Sequence, residues 1–221
     1  MDIRIITPDS DEWPTGLNDL PDVPEQLWAI GKPIDNFAPS LAVVGARAAT
    51  AYGEHVTGTL VDDLGPGITI ISGAAYGIDG VAHRAALSHG GATIAYLAGG
   101  VDRPYPAGHL QLISRIAESG TILSENEPGS APTKYAFLQR NRLIAAHAQG
   151  MVVVEAGWRS GSLNAAGHAA SLRRPVGAVP GPITSAASAG CHGLIRESGA
   201  HIITSADDIR TMMENRPADA L

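Results

Sequence analysis

The chain has 221 residues, enough for one domain with an appendage or at most two small ones, and its 44% apolar and 17% charged content suits a globular chain with a sizeable core. A formal net charge of −7 excludes a basic surface overall, so any region that holds phosphates must be a local patch. The single cysteine, Cys191, excludes a disulfide framework, and no apolar run approaches the roughly 18 residues that a membrane helix needs.

Met1-Asp2-Ile3-Arg4 lacks the apolar core of a signal peptide, so the cytoplasm is the expected compartment. Residues 1–40 are broken by Pro8, Pro14, Pro21, Pro24, Pro33 and Pro39 and are rich in acid around Asp9–Glu12. They read as a lead-in arm, pinned to a larger body by Trp13, Leu17, Leu20, Leu27 and Trp28. Residues 41–215 read as the main domain, and 216–221 as a frayed tail.

From residue 41 a regular alternation begins. Apolar runs of strand length lie at Leu41–Val44, Ile68–Ile71, Thr93–Leu97, Thr121–Leu123, Met151–Val154, Val176–Val179 and His201–Ile203. They are continuous and do not alternate with polar residues, as expected of strands buried on both faces of a parallel sheet. Between them, helical periodicity covers Tyr52–Leu64, Val81–His89, Leu110–Glu118, Ala136–Gln149 and Gly193–Glu197, most with a glycine just beyond as a stop signal. Ser205 and Asp208 have the spacing of a capping box for a last helix through Met213. The pattern predicts an α/β fold with a doubly wound, mostly parallel sheet of about seven strands.

Ligands of such sheets bind beyond the carboxyl ends of the strands, where first-turn N–H groups are unpaired and the helix dipole is positive. Here those ends are rich in small residues: Gly45-Ala46-Arg47, Ser72-Gly73, Gly99-Gly100, Ala156-Gly157 and Gly181. GxGxxG is absent after the first strand (GARAATAYG), no acid closes the second, and GxxxxGK[ST] does not occur. No nicotinamide, flavin or other cofactor is therefore expected. Arg47 would point into the crevice, where a guanidinium offers a bidentate phosphate contact. Lys134, Arg140 and Arg142 would continue a positive strip beside Tyr135 and Phe137, rings suited to stacking a base. The same residues also fit a plainer assignment, with Phe137 and Leu138 in the core and the arginines solvated. Glu125, Glu155 and Asp79 lie near strand ends, but no Ser-His-Asp or Cys-His spacing is present, and none of the eight histidines sits at metal-ligand spacing. His83 and Cys191 read as packed residues, and catalysis is not expected.

The strings VVGAR, SGAAYGIDGVAHRAAL, LAGGVDRPYPAGHLQL, SENEPG, FLQRNRLIA, VVVEAGWRSGSLNAA, RPVGAVPGP and SAGCHGLIRESGA occur in that order. Together, over roughly residues 12–209, they resemble the DNA-processing protein A (DprA/Smf) family. The resemblance implies an extended Rossmann-like domain that binds single-stranded DNA, pairs as a homodimer and assists loading of a RecA-type recombinase in recombination and natural transformation. It also implies a DNA site at Gly45 and Arg47, Ser72 and Gly73, Lys134, Phe137, Arg140, Asn141 and Arg142, and Ser160, Gly161 and Ser162. Many members carry a winged-helix domain after this part and some a helical domain before it; a minimal member is expected here. Two motifs depart from the family pattern: Asn164-Ala165 stands where a Thr-containing turn is usual, and Phe137-Leu138 where an aromatic-proline pair often occurs. The alternative is a nucleotide-binding or phosphoribohydrolase-like enzyme on the same fold. That chemistry needs a PGGxGTxxE loop, and EAGWRSGSLNAA has no glutamate after its glycine.

Overall fold

The computed structural model describes residues 2–215; the expected frayed tail lies outside them. The backbone forms one nine-stranded sheet. In chain order its strands are β1 (Arg4–Ile6), β2 (Leu27–Gly31), β3 (Ser40–Val44), β4 (Thr69–Ser72), β5 (Thr93–Tyr96), β6 (Thr121–Ser124), β7 (Gly150–Val153), β8 (Val176–Ala178) and β9 (His201–Ile202). In space the order is β1-β2-β6-β5-β4-β3-β7-β8-β9, and β3 to β9 all pair in parallel. The chain thus builds outward from β3 to β6 on one side, then returns to lay β7 on the other side of β3. That reversal is a topological switch point, where the strand ends leave an open crevice.

Among the described residues seven α-helices cover the two faces: α1 (Ala51–Leu64), α2 (Ile78–Ser88), α3 (Leu110–Ser119), α4 (Lys134–His147), α5 (Gly161–Ser171), α6 (Ala189–Ser198) and α7 (Ala206–Glu214). Side chains alternate across a strand, so β3 feeds both layers. Leu41 and Val43 pack with Val61 of α1, Ile78 and Ala82 of α2 and Ile209 of α7. Ala42 and Val44 pack on the other face with Leu143 and Ile144 of α4, Ala165 of α5 and Cys191 of α6. Every residue of β3, β4, β5, β6 and β7 is buried, which explains the unbroken apolar runs.

The seven expected strands are present, but the sheet has two more. β1 and β2 come from the segment read as an arm, and they extend the sheet antiparallel from β6. Two physical facts hid them. β1 has only three residues, and β2 is buried at alternate positions, in contrast to the continuous burial of the central strands. Of the five expected plugs, Trp13, Leu17, Leu20 and Leu27 lie in the core, each stabilising the attachment by about 1.5–3 kcal/mol, while Trp28 is only partly buried. Arg4 adds an ion pair with Glu12 at 2.7 Å and a bond to the Gly31 carbonyl.

Helix boundaries were less legible. α4 starts at Lys134, two residues earlier than expected, because Thr133 caps it by accepting from the Ala136 N–H. It ends before Gly150, which is the first residue of β7 and no helix stop. α5 was not anticipated: Gly161, Gly167 and a run of small residues weaken its helical signal, yet Ser160 caps it from the Ser162 N–H. The capping box of α7 is present, with Ser205 and Asp208 each accepting from the other's backbone N–H.

Candidate nucleic-acid interface

A pocket of about 770 Å³ opens at the carboxyl ends of the parallel strands, at the switch point between β3 and β7. That volume suits a nucleotide-sized guest. One wall is the β3 end, Val44, Gly45 and Arg47; the opposite wall is Ser160, Gly161 and Ser162 at the start of α5. The N-terminal half of α4 lies between them with Lys134, Phe137, Arg140 and Asn141, while Asp79 of α2 and Tyr105 close the remaining side. Gly45 sits where a Cβ would meet the Ile78 side chain at 2.6 Å, so only glycine lets α2 approach the strand end.

Arg140 is the buried element of the site, 6% exposed. Its Nη1 donates to the Gly73 and Tyr96 carbonyls, both at 2.7 Å. Gly73 has no room for any side chain, because a Cβ there would lie 1.9 Å from that nitrogen. The Nε of Arg140 is buried with no hydrogen-bond partner among the described residues. Burial pulls its pKa down to about 10, the Asp79 carboxylate opposes the fall, and Arg47 adds to it; the group remains a cation at neutral pH. Asp79 accepts from the Gly73 and Ala75 N–H groups at 3.2 and 3.4 Å. Burial raises its pKa, against the pull of Arg140 and of those two amides.

The exposed cations are placed differently. Lys134 occupies the first position of α4, where the helix dipole disfavours a positive charge, and the first turn holds no acid. Arg47 is exposed, with its Cζ 4.6 Å from the centre of the Phe137 ring; Arg140 Cζ lies 5.8 Å from it. Neither Arg47 nor Lys134 makes an ion pair among the described residues. A chain of net charge −7 thus gathers three cations in one pocket, two of them over the Phe137 ring, with one partly opposing acid. Such a surface holds an anion and stacks a planar group on the same support.

The structure brings Arg47 and Arg140 into one cavity, as the sequence suggested, and corrects other expectations. Arg142 is not in the strip. It is buried, donates to the Glu125 carboxylate at 2.6 Å and borders a neighbouring cleft of about 290 Å³ with Tyr135 and Gln139, which Arg140 also lines. Arg140 and Arg142 are two positions apart, which places them on different sides of a helix. Ser72 is fully buried and donates to the Val43 carbonyl, so it supports the pocket from beneath. Asn141 bridges α4 to α5, its amide donating to Gly161 O and Asn164 Oδ1, both at 3.2 Å; Asn164 therefore fixes the relative position of two walls. The expectation of solvated arginines fails for both Arg140 and Arg142.

Asp79 and Tyr105 line the pocket without having been singled out for it. The strand-end location of Asp79 is a signal in the sequence, whereas nothing in LAGGVDRPYPAGHLQL marks Tyr105. The packed residues are as expected. His83 is buried against the Thr93 hydroxyl at 2.7 Å, and burial lowers its pKa to about 3. Cys191 is buried, its thiol pushed up to about 12. No group of three or more potential metal ligands exists among the described residues, and no described helix is long and apolar enough to cross a membrane.

With this geometry in place, comparison with known proteins is decisive. The description of the DNA recombination-mediator protein A family matches residues 4–214. The chain belongs to this family. A Mycobacterium tuberculosis relative carrying the DprA name is 54% identical over 220 residues, covering 93% of this chain and 56% of its own length. The chain thus spans little more than half of that relative. The X-ray structure of DNA processing protein A from Streptococcus pneumoniae superposes with a TM-score of 0.91 at 37% identity, over 96% of this chain and 74% of that one. The Helicobacter pylori DNA processing protein A, whose structure concerns its single-stranded DNA binding mode, superposes with a TM-score of 0.84 at 30% identity, over 97% and 98% of the two chains. A recombination-mediator fold with an extended Rossmann-like sheet is therefore the architecture of this chain.

Proposed function

We propose that this chain binds single-stranded DNA in the pocket at the β3–β7 switch point and serves recombination by protecting the strand and assisting its transfer to a RecA-type recombinase. The observation that carries this is the cation-and-ring cluster: Arg47 and Arg140 against Phe137, with Lys134 at the rim. Phosphates are neutralised by the cations, and bases, which single strands leave unpaired, find the ring. The single-strand binding mode described for the H. pylori relative supports the same assignment. Gly45, Ser160, Gly161 and Ser162 contribute backbone and hydroxyl donors, whereas Ser72, Gly73 and Asn141 act by holding the walls. Action is by binding, with no chemical step, and the homodimer follows from the family resemblance.

The test is fluorescence anisotropy with single- and double-stranded oligonucleotides of equal length across a salt series. Single strands are expected to bind more tightly, with affinity falling steeply as salt rises. Equal affinity for duplex, or binding indifferent to salt, overturns the proposal. A strand-exchange assay with and without the chain tests the recombinase step separately.

A further inference from the structure

We infer that Tyr105 is a second base-stacking surface of this site, so that two neighbouring bases are held by two rings. The inference rests on the single-strand reading above and extends it to a residue whose ring packs edge-on beside Phe137. Phe137 is half-buried and crowded by the two guanidiniums, with Arg47 Cζ at 4.6 Å and Arg140 Cζ at 5.8 Å from its centre. Tyr105 is 47% exposed and borders the same cavity. The ring centres are 5.6 Å apart and the planes meet at 61°. Rings so inclined do not form parallel platforms for one base; each presents its face in a different direction.

The support of Tyr105 suits that role. It stands between Pro104 and Pro106, whose fixed φ angles restrict the backbone. The segment is tied by Arg103 N–H to Gly100 O at 2.8 Å and by His109 N–H to Pro106 O at 2.9 Å. Beyond it, the Gly108 N–H donates to the Tyr76 hydroxyl, and Tyr76 packs edge-on against His109. A half-exposed tyrosine on so constrained a segment loses little freedom when a base settles on it. Its contribution to the core is small, because nearly half its surface faces solvent.

The test compares wild type with Tyr105→Ala, Tyr105→Phe and Tyr105→Trp, using an oligothymidylate and an abasic strand of equal length. Tyr105→Ala is expected to weaken oligothymidylate binding on the order of tenfold, leave the abasic strand and the salt slope unchanged, and keep the wild-type melting temperature. Phe and Trp should restore binding. If wild type binds oligothymidylate and Tyr105→Ala binds equally well, or loses affinity for both strands alike, the inference falls while the single-strand reading stands. If wild type itself fails to bind single strands, the reading beneath it falls. Should Tyr105→Ala be unstable, Tyr105→Leu gives the same discrimination with more apolar volume retained, and retained base preference there overturns the inference.

Discussion

At the carboxyl end of the parallel strands Arg140 is buried with backbone carbonyls as its partners, and Arg47 and Lys134 nearby have no ion pairs among the described residues. At the amino end a second cleft, of about 380 Å³, lies between the N-terminal segment and the end of α4, and it also contains a buried arginine, Arg174. There the charge is answered: Arg174 Nη2 meets the Asp19 carboxylate at 2.5 Å and the Ala146 carbonyl at 3.3 Å. The same helix serves both ends with opposite polarity. Its N-terminus disfavours Lys134, while its C-terminal carbonyls favour Arg174. The amino end is therefore built for stability and closed in charge. The carboxyl end leaves positive charge uncompensated, as a site awaiting an anion does.

Four experiments probe this division. Replacing Arg140 with Met should have the largest effect. It strands the Gly73 and Tyr96 carbonyls and the Asp79 carboxylate, costing about 3 kcal/mol in chemical denaturation, and single-strand binding should fall by about a hundredfold or more. Retained affinity in folded protein would remove Arg140 from the site. Arg174→Leu should cost about 2 kcal/mol, tempered by the partial exposure of Asp19, with DNA affinity unchanged at temperatures where the protein is folded. A parallel loss of binding would break the distinction between the ends.

Acid comes next. The pKa of His83 in the fold is about 3, below its ordinary value near 6.5, so the buried ring is neutral and the unfolded state takes up the proton first. Its contribution is complete above pH 6.5 and is lost as pH falls towards 3, at about 1.4 kcal/mol per pH unit. His147, in the amino-end cleft, is lowered to about 3 by burial and acts in the same direction. Denaturation midpoints from pH 7.5 to 4.5 should therefore drop, and the drop should be shallower in His83→Gln. The smallest effect on the fold is expected from Arg47→Ala: stability within about 0.5 kcal/mol of wild type, but roughly tenfold weaker DNA binding and a salt slope reduced by about one.

The sequence was most readable where burial is two-sided. β3 to β7 show as unbroken apolar runs because both faces are covered, and most of the helices between them show through their period and glycine stops. β1, β2 and α5 were hidden for different reasons: shortness, half-burial among prolines, and a helix of small residues that relies on tertiary packing. In the site, residue types were informative and directions were not. Arg140 and Arg142 are the same amino acid in one motif, yet helical geometry turns one into the pocket and the other towards Glu125. Ser72 looked like a donor for a ligand, but its hydroxyl is consumed by Val43 O. Tyr105 has no pattern to betray it, since only the fold brings its ring against that of Phe137.

The pairing of β3 with β7, which joins Leu41 to Gly150, spans the longest sequence gap of any strand pair in this sheet. Strands β3 to β6 pair through nearer neighbours in the chain, at lower loop-closure cost. A partly folded molecule holding only those strands would carry Arg47 but lack the wall at Ser160–Ser162. Such a species would lack the pocket, so under the proposed function a strand of DNA would stabilise only the completed fold, by an amount that grows with the logarithm of its concentration. Occupancy of the site would thus act as a thermodynamic latch on the last long-range closure of the chain.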